Sequence, residues 1–144
     1  MRTFLIWMLL IAVAGTAVAR EESVEGLKVK VKNAPPQDRP GLCVQIAEHQ
    51  LRNADTLYRD GDIENARAAV EDIIVYSQQA TDAATATKKH LKNVEIAVRK
   101  IAEKLRDVKR TLSIEDQPTV QHAVDRLEEM RTTLLKQMFS KEKK

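Results

Sequence analysis

The stretch ATDAATATKKHLKNV, residues 80–94, contains neither glycine nor proline, and an apolar stripe runs through it without losing step. Taken at alternate spacings of three and four residues, that stripe reads Ile63, Ala66, Val70, Ile73, Ser77, Ala80, Ala84, Thr87, Leu91, Val94, Val98, Ile101, Leu105, Val108 and Leu112. Only Ser77 and Thr87 in it are polar. A seven-residue repeat kept in register over such a length marks a helix whose seam faces a partner throughout. Nothing in residues 80–94 forces a break, so residues 63–112 are predicted to form one helix, a rod of roughly 75 Å at ~1.5 Å rise per residue.

Outward from this spine, Gly61 and Pro118 punctuate the chain. Before Gly61 the stripe Val44, Ala47, Leu51, Ala54 and Tyr58 predicts an amphipathic helix. Gly61 ends it in the left-handed conformation, and Asp62 caps the helix that follows. After Asp116 and Pro118 the stripe Val120, Ala123, Leu127, Met130 and Leu134, closed by Met138 and Phe139, predicts another helix. Short connections make both outer helices antiparallel to the spine.

The sequence therefore predicts an all-α protein of three helices, a long central coiled-coil helix flanked by two antiparallel hairpin partners, within a helical domain spanning 41–139. The alternative is a kink near residues 85–90 that folds the hairpins together as a four-helix bundle. A bundle needs an apolar stripe wider than a seam, and outside the seam stand only scattered residues such as Ile74, Val75, Ile96 and Ala97. The extended rod is the favoured form.

The turn itself, Leu57-Tyr58 before Gly61-Asp62 and Ile63, Ala66 and Val70 after it, resembles the turn of a tetratricopeptide hairpin. The resemblance covers this turn and its flanks. Gln50, Asn53 and Gln78 stand where that repeat has an aromatic, a leucine and a closing proline, and no second copy follows at its ~34-residue period. A single unit cannot bury its own faces, so no binding groove is carried over from the resemblance.

The first nineteen residues, MRTFLIWMLLIAVAGTAVA, combine Arg2, an apolar run and the Ala17-Val18-Ala19 pattern of a secretory signal peptide, with cleavage expected after Ala19. The apolar stretch Phe4–Ala19 spans 16 residues, short of the ~20 that cross a bilayer. A secreted or periplasmic protein is expected, with no stable membrane span once the segment is removed. Residues 20–40 alternate Leu27, Val29 and Val31 with lysines and then carry Pro35, Pro36 and Pro40. They read as an extended leader. Residues 140–144, SKEKK, form a charged tail.

Chemistry finds little foothold. His49, His90 and His122 make no HExxH pair, and no zinc-ligand pattern or phosphate-binding glycine loop is present. No catalytic residue, metal or cofactor is expected. The only cysteine, Cys43, is a candidate for an intermolecular disulfide in an oxidising compartment, or a small apolar residue near a helix start.

Charge is distributed unevenly. Residues 88–110 hold Lys88, Lys89, Lys92, Arg99, Lys100, Lys104, Arg106, Lys109 and Arg110 against Glu95, Glu103 and Asp107, a local +6. Residues 55–72 hold six acids against Arg59 and Arg67, a local −4. The basic set is a candidate face for an anionic envelope or surface polymer, although Glu95–Arg99, Arg99–Glu103 and Asp107–Arg110 also fit ordinary helix-supporting pairs. Beyond the leader the aromatics are Tyr58, Tyr76 and Phe139, too few for a stacking platform, and nucleic acid is disfavoured. The expected function is that of an exported, non-enzymatic interaction or scaffold protein, meeting a protein partner or its own copy through a coiled-coil surface.

Overall fold

A computed structural model describes residues 22–140. The expected leader cleavage and residues 141–144 of the tail lie outside them. The chain is all-α, but it has five helices rather than three among the described residues: α1 (Val24–Asn33), α2 (Arg39–Arg59), α3 (Ile63–Thr87), α4 (Leu91–Arg110) and α5 (Gln117–Phe139).

The long central helix is the first correction. It ends at Thr87 and a new helix starts at Leu91, with Lys88 (φ 58°) and His90 (φ 63°) both in the left-handed region. A non-glycine residue there costs roughly 1–2 kcal/mol, so tertiary packing must hold the bend. The bend falls where the kinked alternative put it, although that alternative too had one helix too few. Two local features favour a stop at Thr87. Its hydroxyl donates to the carbonyl of Ala83 (2.8 Å) and accepts the N–H of Lys89 (3.4 Å), and such back-bonding competes with regular helix. Six residues earlier, Thr81 bonds the Ser77 carbonyl in the same way (2.9 Å).

What the bend gains is a stack of two hairpins. The α2–α3 hairpin packs on the α4–α5 hairpin, with α3 against α5 and α2 against α4. Three side-chain hydrogen bonds set the direction: Arg67 to Asp116 (3.0 Å), Arg126 to Gln78 (3.4 Å) and Lys88 to Gln137. Their partners are 49, 48 and 49 residues apart in sequence. A separation that stays within one residue along the pair means that α3 and α5 run parallel in one register.

The small residues at the head of the quoted stretch, and Ser77 just before it, make this approach possible. Ser77, Ala80, Thr81 and Ala84 are all buried, and small side chains let helix axes come close. The seam residues are core as well, but they share it with a wider set. Ala69, Ile74, Ala97, Ala102 and Val124 are buried outside the predicted stripe. Of the scattered extras noted in the sequence, Ile74 and Ala97 belong to that wider face, while Val75 remains 40% exposed.

The second correction concerns the leader. Residues 24–33 are helical, not extended. The apparent strand alternation hides a helical spacing, since Val24, Leu27 and Val31 lie three and four apart; Leu27 and Val31 are buried, and Val29 is 58% exposed. Ser23 caps the helix by accepting the Gly26 N–H (3.1 Å), and the Pro35-Pro36 pair stops it. α1 then packs on α2.

The Gly61 turn forms as its sequence dictates. Gly61 sits at φ 79°, its N–H reaches the Tyr58 carbonyl (3.1 Å), and that of Asp62 reaches Leu57 (2.9 Å). These are the two bonds of a Schellman cap. Asp62 accepts the Asn65 N–H in turn (3.4 Å). At the start of α5, Pro118 occupies the first turn.

Candidate functional site

The nine basic residues do not form one face. α4 buries Leu91, Val94, Glu95, Ala97, Val98, Ile101, Ala102, Leu105 and Val108, which spreads the bases around its remaining surface. Lys92, Arg99, Arg106 and Arg110 follow one another at steps of seven, seven and four on one side. Lys100 and Lys104 lie on the other side, with Glu103 and Asp107 between the two groups.

Many of these charges are already engaged. Arg106 pairs with Glu128 of α5 (2.8 Å), Arg110 with Asp107 (3.3 Å), and Arg99 lies 3.8 Å from both Glu95 and Glu103. Lys109 donates to Gln121 (2.6 Å) and Lys88, in the bend, to Gln137. Lys89, Lys92, Lys100 and Lys104 are exposed, and their ammonium groups make no ion pair among the described residues.

One member of the network is not a surface pair. Glu95 is buried and accepts from Nε of Arg131 (2.9 Å), which also approaches Glu128 (3.7 Å). The Glu95 hydrogen bond raises the Arg131 pKa above its ordinary value. Sequence reading assigned Glu95 to a solvated face because its i,i+4 spacing to Arg99 fits one. Its place beside Val94 and Val98 in the widened apolar face was the available signal.

Cys43 is buried, 1% exposed, and unpaired. Burial pushes its thiol up to about 11, and its sulfur lies 3.9 Å from Gln79 Oε1. A thiol so placed is neutral at ordinary pH and inaccessible in this fold, which argues against an intermolecular disulfide. It fills space as a small apolar residue.

A cluster that the sequence did not suggest joins α1 to the first hairpin. The Lys28 ammonium bonds Asp72 of α3 (2.9 Å) and lies 5.5 Å from the centre of the Tyr76 ring. Gln50 of α2 donates to the same Asp72 oxygen (2.7 Å). The Asp72 bond is the main reason the Lys28 pKa is raised. From this clamp a groove of about 410 Å³ runs between α2 and α3 towards the Gly61 turn, lined by Asn53, Leu57, Asn65, Ala68 and Ala69. A second cleft, about 500 Å³, lies where α2 and α4 begin side by side, between Pro40, Leu42 and Val44 on one wall and His90, Asn93 and Val94 on the other.

Among the described residues no three His, Cys, Asp or Glu side chains converge in a way that could hold a metal ion, and no helix is long and apolar enough to cross a membrane. Comparison with known proteins finds no match to a family model, a curated protein or a solved structure.

Proposed function

We propose an exported helical interaction protein that works without catalysis and meets its partners on the outer faces of two stacked hairpins. The contact surface differs from a coiled-coil seam, because the seam residues are spent on the protein's own core. The observation that carries the reading is charge segregation between the exposed sides of α3, with the turn before it, and α4, with the bend before it. Asp60, Glu64 and Glu71 of the first hairpin have no ion-pair partner among the described residues, and neither do Lys89, Lys92, Lys100 and Lys104 beside the second. Unpaired charge of opposite sign on separate faces favours oriented, salt-sensitive association.

Pull-down from envelope extracts on immobilised protein, paired with light scattering of the free protein, tests this. Retained partners that elute with added salt support it. A strict monomer that retains nothing contradicts it. Export rests on residues 1–19 and predicts that protein recovered from an expressing bacterium begins at Arg20; an intact Met1 would remove that part.

A second reading is favoured by the four unpaired lysines alone: binding of an anionic envelope polymer. Retention on a heparin resin should then fall steeply with salt and disappear on charge reversal at Lys92, Lys100 and Lys104. Retention unaffected by those changes excludes it.

A further inference from the structure

We infer that the groove between α2 and α3 seats a short basic amphipathic segment of a partner protein, laid in continuation of α1. The inference rests on the interaction reading above and names one surface and one kind of partner for it.

The molecule itself supplies the pattern. α1 is a basic amphipathic segment that already lies against α2: Leu27 and Val31 enter the core, and Lys28 crosses to Asp72 over the Tyr76 ring. The groove starts at the Asp72 that holds Lys28 and at the Gln50 that donates to the same carboxylate oxygen, so it is continuous with an interface that exists. Past α1, its lining changes from what a covered core shows to what a docking surface needs. Ala68 is exposed and Leu57 is half-buried, a shallow apolar floor for one aliphatic side chain. Asn53 and Asn65 offer both donors and acceptors along the rim.

Charge fixes the sign of the occupant. Glu64 and Glu71 stand four residues before and three after Ala68, on the same face of α3. Both are exposed and neither makes an ion pair among the described residues, since Arg67, which lies between them, is taken by Asp116 (3.0 Å). Lysine or arginine on the entering segment would meet them as Lys28 meets Asp72. An acidic segment would be repelled.

Two fluorescent 12-residue probes test this by anisotropy with the full chain. One repeats the Leu-Lys-x-x-Val spacing of residues 27–31, and the other has glutamate at every lysine. The lysine probe is expected to bind saturably and to weaken about tenfold or more with Ala68→Arg, which fills the groove from an exposed position, and likewise with Glu64→Lys plus Glu71→Lys. Circular dichroism and the melting temperature of each variant should match the parent. Equal binding of both probes, no binding, or lysine-probe binding untouched by Ala68→Arg overturns the inference. If the Ala68→Arg protein captures the same envelope partners as its parent, the groove is excluded while the interaction reading stands.

Discussion

α3 is entered through one bend and left through another, and the two are made differently. At Gly61 the left-handed residue is glycine, both Schellman bonds are present, and Asp62 caps the helix beyond. At Lys88–His90 two left-handed residues carry side chains, and His90 precedes α4 with no side-chain cap. The first bend is written in local chemistry. The second is imposed by the surfaces that it brings together, with Ser77, Ala80, Thr81 and Ala84 accepting a neighbouring hairpin that larger residues would exclude.

The largest effect that separates the two bends should come from the packing behind the second. In a continuous seam, Ala84→Leu would add apolar contact and stabilise the chain. In the stacked hairpins Ala84 is fully buried, and overpacking should cost about 1–3 kcal/mol by chemical denaturation. A gain in stability would contradict the stack.

At the bends themselves, glycine should act with opposite signs. Gly61→Ala is expected to cost about 1–2 kcal/mol, the penalty for a Cβ at φ 79°. Lys88→Gly and His90→Gly relieve that penalty and should each change stability by up to about 1 kcal/mol in the favourable direction. Denaturation midpoints of the three variants check this, and destabilisation by all three would mean that the second bend is not strained.

A smaller effect distinguishes the halves that the bend joins. Cys43, Tyr58, Tyr76 and Lys28 all belong to α1–α3, and all have pKa values raised in the fold: the first three mainly by burial, Lys28 mainly by its bond to Asp72. A raised value means that the folded state holds the proton more tightly, so the stabilisation is complete below the ordinary pKa and drains as pH rises through the folded one. Stability should therefore decline from the ordinary thiol value of 9.0 towards about 11 and beyond. Amide exchange should quicken in α1–α3 before α4–α5, and Cys43→Ala should soften the decline. A flat response over that range would contradict the burial of these groups.

Much of this architecture was legible in the sequence, in a particular pattern. The all-α class, the Gly61 and Pro118 punctuation and nearly every seam residue follow from spacing and turn chemistry, which are local. The bend at residues 88–90 was not legible because no breaker marks it, and the stripe keeps step on either side whether or not the helix is continuous. The relevant signal was width: Ile74 and Ala97, read as scattered, were part of a second packing face. α1 was missed because alternate Leu27, Val29 and Val31 fit a strand, and the helical spacing emerges only when Val24, Leu27 and Val31 are taken together behind the cap at Ser23. At the candidate surface, the sequence listed the bases but could not tell Arg106, paired across to Glu128, from the unpaired Lys100 and Lys104. The groove was hidden because its lining is small or neutral and comes from two helices, although Glu64, Ala68 and Glu71 were visible as one face.

The central claim is that residues 63–112 fold back at Lys88–His90 so that the two hairpins stack in parallel. Arg67 and Asp116 are 3.0 Å apart in the stack, whereas a continuous helix would separate residues 64 and 115 by about 75 Å. Spin labels at the exposed positions Glu64 and Glu115, in a Cys43→Ala background and diluted with unlabelled protein, measure that separation by pulsed electron resonance. The stacked hairpins predict a distance within about 25 Å, allowing for label length against a ~10 Å interhelical spacing; a distance near 75 Å would contradict the account.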